Sequence, residues 1–220
     1  ADGTTAKSVG AQDNVMDGQA GLLVQCANQG VEPEISAATA LEAQSLSEWD
    51  GTGRPEQYDF ALAWETDTQY YAESFPYHYT NMNQWIVDNA QEWKIRYVLH
   101  TGDIVDDVDM VGQWKNADEA MQIFDEAGMP YGVLGGNHDV YAGAEGYGNY
   151  WKYFGEDRFA DQETYGGSYQ NNLGHQDLLT EHAQDLYIPH MSLDIHTEHI
   201  EWIHQVLQLY SHRKASIPLH

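Results

Sequence analysis

The chain is poor in basic residues. Lys and Arg number 9 among 220 residues, against 35 Asp and Glu, for a net charge of −26 with neutral histidine. A field of that sign repels nucleic-acid backbones and anionic lipid, so no direct nucleic-acid footprint exists. Cysteine is nearly absent: Cys26 alone allows no internal disulfide, which excludes a disulfide-stapled scaffold. No apolar run reaches the length of a membrane span, so no membrane span is expected. There is no internal repeat, and the opening "ADGTTAKSVG" carries no basic-plus-apolar leader. It reads as the mature end of a secreted protein, and the acidity fits an extracellular, salt-tolerant or cation-rich setting. What is present is apolar mass: hydrophobic residues make up 42% of the chain, enough for one sizeable globular core.

Residues 1–57 form one segment by composition, rich in Ala, Gly, Gln, Ser and acids and of low complexity. "ISAATALEAQSLSEW" (Ile35 to Trp49) predicts one amphipathic helix, and "DGTGRP" (Asp50 to Pro55) is turn chemistry that marks a boundary. Residues 58–220 then alternate. "YDFALAWET" (Tyr58 to Thr66) predicts a strand. "YHYTNMNQWIVDNAQEW" (Tyr77 to Trp93) predicts a helix with Met82, Trp85, Ile86 and Trp93 near one face. "IRYVLH" (Ile95 to His100) is the next strand. "QWKNADEAMQIFDEAG" (Gln113 to Gly128) is a helix striped by Trp114, Ala117, Met121 and Phe124, with Gly128 just past its end. "MPYGVLGG" is a short strand. Strand–helix alternation predicts βαβ units, a largely parallel core sheet and an α/β fold. Further on, "YGNYWKYFG" predicts a short helix, "YGGSYQNN" a hairpin, and "DLYIPHMSLDI" a strand interrupted at Pro189. "TEHIEWIHQVLQLY" predicts a helix with Ile200, Ile203, Leu207 and Tyr210 on one face, and "KASIPLH" a final strand.

The strand ends carry the chemistry. "TDTQ" (Thr66 to Gln69), "GDIVDD" (Gly102 to Asp107), "GGNHD" (Gly135 to Asp139) and "PLH" (Pro218 to His220) follow strands whose C-terminal mouths collect ligand sites in parallel sheets. Carboxylates, an amide oxygen and imidazoles together suit divalent Mn, Fe or Zn. Paired ions can activate water and clamp a phosphoryl group.

These blocks resemble those of the calcineurin-like metallophosphoesterases: D-x-H, G-D-x-x-D, G-N-H-[DE], a later His, and G-H-x-H. Gly102-Asp103-Ile104-Val105-Asp106 and Gly136-Asn137-His138-Asp139 match fully. "FALAWETDTQYYAE" is similar to a secreted bacterial branch with Gln in place of the first-block His. The resemblance implies an α/β sandwich with central mixed sheets flanked by helices. It also implies two divalent metal ions and hydrolysis of phosphoric esters, mono- or diester, by a hydroxide activated between them. The substrate would be a phosphate-ester small molecule or a phosphorylated polymer. It assigns Asp67, Gln69, Asp103, Asn137 and His220 to the metals, with Asp103 bridging and Gln69 either a ligand or a support behind one. His138 would face the leaving group, oriented by a hydrogen bond to Asp106. A G-H-x-H block would follow His220, beyond the last residue here. "GHQD" (Gly174 to Asp177) precedes His220 and reads as loop or as a support behind the metal ligands.

Two rival readings stay open. A non-catalytic surface or assembly subunit would keep the fold without efficient turnover, and a single-metal binding module would hold one ion without hydrolysis. His196, His199 and His204 lack H-E-x-x-H spacing and read as solvated or as lining an ordinary helix face. Tyr70, Tyr71 and Tyr79 read as core and rim, and Tyr70 and Tyr71, just past the first block, are alternatively placed to line a substrate.

Overall fold

The computed structural model describes residues 5–9, 22–27, 58–140, 147–169, 174–193 and 197–220. Its first sheet runs in the order β1 (Thr5–Val9), β2 (Leu22–Ala27), β3 (Phe60–Glu65), β4 (Ile95–His100), β5 (Tyr131–Val133). The last three are parallel, because helices connect them: α1 (Gln69–Ser74) and α2 (Pro76–Asn89) cross from β3 to β4, and α3 (Val111–Ala127) from β4 to β5. β1 and β2 extend the sheet antiparallel from β3. The sheet is therefore mixed rather than largely parallel, and the segment before residue 57 supplies two of its strands. The helix expected over Ile35 to Trp49 lies outside the described residues.

β3 is buried on both faces, with its side chains dividing by parity. Ala61 and Ala63 face the helices. Phe60 and Leu62 face the second sheet together with Tyr97, Leu99, Leu179 and Ile188. On β4, Ile95 packs with the helical layer while Tyr97, of the same parity, packs with the second sheet. A bulge explains this: Ala61 pairs with Ile95 but Leu62 pairs with Tyr97, so Arg96 is the extra residue that resets the alternation.

α3 buries Trp114, Ala117, Ala120, Met121 and Phe124, the stripe its sequence predicts, and ends at Gly128 in the left-handed region. α2 buries Tyr79, Asn83 and Ile86, while Trp85 stays partly exposed. Asn83 donates to the Ala120 carbonyl at 2.9 Å, which ties α2 to α3. After β5 come two short helices, α4 (Gly148–Phe154) and α5 (Glu156–Phe159).

The second sheet is β6 (Tyr165–Tyr169), β7 (Gly174–Glu181), β8 (Gln184–Met191) and β9 (Lys214–Ala215) in that order. β8 runs unbroken through Pro189. β9 is shorter than the expected final strand, but an isolated bridge from Met191 to Leu219 continues the parallel pairing and carries the chain to His220. α6 (Thr197–Leu209) packs through His199 and Val206, and Ile200 is half exposed, so the expected buried face is rotated. Trp202 and His199 meet the Tyr169 ring at 5.5 and 5.3 Å, which seats α6 against β6.

"GHQD" is the first half of β7, not a loop, and its polar letters point into the interior. Asp177 is fully buried. It accepts the Tyr97 hydroxyl from β4 and the Thr164 hydroxyl at 2.9 Å. His175 Nε2 lies 2.9 Å from its Oδ2, at ion-pair distance though angled off a hydrogen-bond line. His190 Nε2 sits 3.0 Å from the Tyr97 oxygen. One carboxylate thus joins the two sheets through polar partners on both.

Candidate functional site

β3, β4 and β5 end side by side, so the loops that follow them are neighbours. The Asp67 N–H donates to the Gly102 carbonyl at 3.1 Å, joining the first two. Asp67 and Asp103 both adopt positive φ, 54° and 53°, at the first turn past their strands. Non-glycine residues rarely do so, and such strain gathers where a loop must aim a side chain. The second and third loops touch backbone to backbone. A Cβ on Gly102, itself at φ 92°, would lie 2.7 Å from the Gly136 nitrogen, and a Cβ on Gly136 would overlap Asp103. Glycine at both positions permits that approach.

His220 enters from the second sheet. Its Nδ1 lies 2.8 Å from the Thr101 carbonyl oxygen, so Nδ1–H donates there and Nε2 is left facing the loops. Nε2 is 2.9 Å from Asn137 Oδ1 and 3.4 Å from Asp103 Oδ1. Asp103 Oδ1 also accepts the His138 N–H at 3.0 Å. The structure thus brings Asp103, Asn137 and His220 together from three different strand ends. Asp67 is held beside them by its backbone, while its carboxylate accepts the Thr66 hydroxyl at 2.6 Å. Gln69 is buried. In the amide orientation that satisfies its surroundings, its nitrogen donates to the carbonyls of Asp67 at 2.8 Å and Asp103 at 3.3 Å. It therefore ties two loops.

The His138 ring is partly exposed. Its Nδ1–H donates to the backbone carbonyl of Asp106 at 2.8 Å, and the Asp106 carboxylate stands off at 3.5 Å. The orienting oxygen is therefore main chain rather than the expected side chain. That bond, with Asp103, Asp106 and Asp139 nearby, raises the His138 pKa above its ordinary value despite the opposing effect of burial. The Asp106 loop is itself pinned: Gln113 of α3 accepts the N–H groups of Asp106 and Asp107 at 2.8 and 2.9 Å. Sequence reasoning missed Gln113, whose role depends on a helix folding back over its own preceding loop. It also missed Asp139, the last letter of the third block.

Among the described residues no three His, Cys, Asp or Glu side chains form a metal set by themselves. The third donor here is the Asn137 amide oxygen. A carboxylate, an amide oxygen and an imidazole nitrogen with neighbouring separations of 2.9 and 3.4 Å have the chemistry and spacing that a divalent ion with ligand bonds of roughly 2.0–2.2 Å requires. The residues fit such an ion.

Among the buried groups, two histidines and two carboxyls are shifted far enough to bear on stability between about pH 3 and 8. Burial holds His100 and His190 neutral, with pKa values near 3, each helped by a neighbouring histidine. Burial raises Glu65 to about 8 and Asp139 to about 7, the latter against three backbone N–H donors. The signs oppose. For the histidines, the unfolded chain takes protons that the folded chain refuses, so stability present above about pH 6.5 is lost as pH falls towards 3. For the carboxyls, the folded chain keeps protons that the unfolded chain releases, so stability present below about pH 4 is lost as pH rises through 7 and 8. Each pH unit inside a window moves stability by about 1.4 kcal/mol per group. In metal-free buffer, urea midpoints should be highest and nearly flat around pH 5–6.5, where the pairs cancel. They should ease towards pH 8.5 and drop steeply below about pH 4. A midpoint still climbing between pH 6.5 and 8 would contradict neutral burial of Glu65 and Asp139.

Comparison with known proteins bears on this arrangement. The family model for calcineurin-like phosphoesterases matches residues 65–217. The chain is 47% identical over 161 residues to an uncharacterized protein, YvnB, of Bacillus subtilis (strain 168), covering 73% of this chain and 12% of that one. It therefore spans about an eighth of that relative's length. Among solved structures it is similar to the purple acid phosphatase PPD1 of yellow lupin, Lupinus luteus, at 14% identity and a TM-score of 0.41, over 94% of this chain and 40% of that one. With the match running from the end of β3 to the approach to His220, the chain belongs to the calcineurin-like phosphoesterase family.

Proposed function

We propose that this chain hydrolyses phosphoric esters, mono- or diesters, with two divalent ions of Mn, Fe or Zn. The observation that carries the reading is the convergence of Asp103, Asn137 and His220 from three strand ends. Asp103, Asn137 and His220 would hold one ion, and Asp67 with Asp103 the other. Gln69, with its nitrogen on two carbonyls, supports the loops of both aspartates. When bound, such ions supply positive charge for the phosphoryl oxygens and a water of lowered pKa. The chain's own residues do the rest. Asp103 accepts the His138 N–H and so keeps the His138 loop over the site. His138, fixed at Nδ1 by the Asp106 carbonyl, presents Nε2 as a proton donor to the departing oxygen. The charge of −26 would otherwise repel a phosphate dianion, so the local cations reverse the sign where substrate must enter.

A second reading is a non-catalytic surface or assembly subunit with this fold. Gln69 favours it, since its nitrogen is committed to two backbone carbonyls where the family motif has histidine. One experiment separates the readings. Metal analysis of the purified chain should find two divalent equivalents, and p-nitrophenyl phosphate or its bis-ester should be turned over in a reaction that EDTA abolishes. Metal without turnover favours the second reading. Neither metal nor turnover defeats the first.

A further inference from the structure

We propose that Asp139 is the positioning residue of this site: one buried carboxylate locks the loop after β4 to the loop after β5, and so sets the spacing of Asp103, Asn137 and His220. The inference rests on the metal-dependent reading above and deepens it.

Asp139 is fully buried, and its carboxyl oxygens accept from backbone N–H groups. Its Oδ1 accepts the N–H groups of Ile104 and Val105 at 2.7 and 2.9 Å, and its Oδ2 accepts that of Gly136 at 2.8 Å. Its own N–H donates to the Gly136 carbonyl at 3.2 Å, closing a turn around Asn137 and His138. Ile104 and Val105 lie in the stretch between β4 and α3, where no strand partner is available to their amides. The tie is reciprocal. Asp103 of the second loop accepts the His138 N–H of the third, and Asp139 of the third accepts two N–H groups of the second. Between these two carboxylates the backbones meet at Gly102 and Gly136 with no room for a methyl group. A rotation of either loop would therefore break the Asp139 bonds before it separated Asp103 from Asn137.

A buried residue of this kind lowers global stability when changed, so the test must read something else. Asp139→Asn and Asp139→Glu are compared with the wild-type chain by Mn²⁺ calorimetry, by thermal melting and by amide hydrogen exchange. Asparagine keeps the shape but turns an NH₂ towards a backbone donor. Its Mn²⁺ dissociation constant should rise about 10–100-fold, as when supports behind metal ligands are removed. The amides of Ile104, Val105 and Gly136 should exchange faster while those of β4 stay protected. Asp139→Glu should recover part of the affinity, and saturating Mn²⁺ should return most of the turnover of Asp139→Asn. Asp177→Asn, between the two sheets, serves as the control: it should melt lower yet bind Mn²⁺ as the wild type does. The proposal is overturned if Asp139→Asn loses the three protected amides but keeps its affinity within twofold. It is also overturned if the control weakens Mn²⁺ equally. A wild-type chain that binds Mn²⁺ without hydrolysing any ester strikes the hydrolytic reading and leaves the affinity test standing. One that binds no Mn²⁺ overturns both.

Discussion

His138→Gln is expected to lower kcat on an aryl phosphate by about 10²–10⁴-fold while leaving the metal content unchanged. The ring lies next to the converging donors yet is not one of them. Its backbone N–H is spent on Asp103 and its Nδ1–H on the Asp106 carbonyl. Only Nε2 is left to act, and the raised pKa favours the protonated form that a departing aryloxide needs. Glutamine can hydrogen-bond but cannot carry a transferable proton near neutral pH, so binding should survive and proton delivery should not. The readout is a comparison of metal analysis with steady-state kinetics. A second substrate with a better leaving group sharpens it, because a good leaving group needs less protonation and should suffer a smaller loss. Unchanged turnover would remove His138 from the chemistry. Loss of metal along with turnover would reassign it to the metal set.

Asp177→Ala should cost about 3–5 kcal/mol of folding stability, the range for removing one partner of a buried charged network. The change leaves the buried Tyr97 and Thr164 hydroxyls without their acceptor and the His175 ring without the carboxylate beside it. Such groups cannot reach water without parting the layers. Because domain stabilities run to only about 5–15 kcal/mol, the loss is a large share of the total. Asp177→Asn, which keeps one acceptor oxygen, should lose less. The ionised form of Asp177 is favoured by His175, His190 and the Tyr97 hydroxyl, which together outweigh its burial and lower its pKa. Urea denaturation of the variants, followed by near-UV circular dichroism from the interlayer tyrosines, measures both effects. If Asp177→Ala unfolds within about 1 kcal/mol of the wild type, the cluster is a passive inclusion and not the joint between sheets.

Some of this could be read directly from the letters. The runs "FALAWE" and "IRYVLH" announce strands because short, mostly apolar stretches with aromatic or β-branched members suit a doubly covered sheet, and all but Trp64 and Arg96 are buried. The stripe of α3 follows from helical periodicity with a glycine past its end, and the glycines of the two matched blocks, Gly102 and Gly136, allow close backbone approach past their strands. Local physics sets these features, so a local reading suffices. The bulge at Arg96, the burial of His199 in place of Ile200, and the two N-terminal strands were not legible, since each depends on what the element packs against.

The same boundary runs through the site. Residue order alone singled out Asp103, Asn137, His138 and His220 as candidates at the ends of strands, and the structure brings them together. Residue order was silent on Asp139 reaching back to Ile104 and Val105, on Gln113 holding the Asp106 loop, and on the carbonyl rather than the carboxylate of Asp106 taking the imidazole proton. Nor did it distinguish "GHQD" as loop from "GHQD" as the strand whose aspartate meets Tyr97 across two sheets. Those are contacts between segments about 6 to 80 residues apart, created by register and layer packing. A carboxylate has no fixed role until the fold supplies the groups around it, which is why the identity of the residues was written in one dimension and their partnerships only in three.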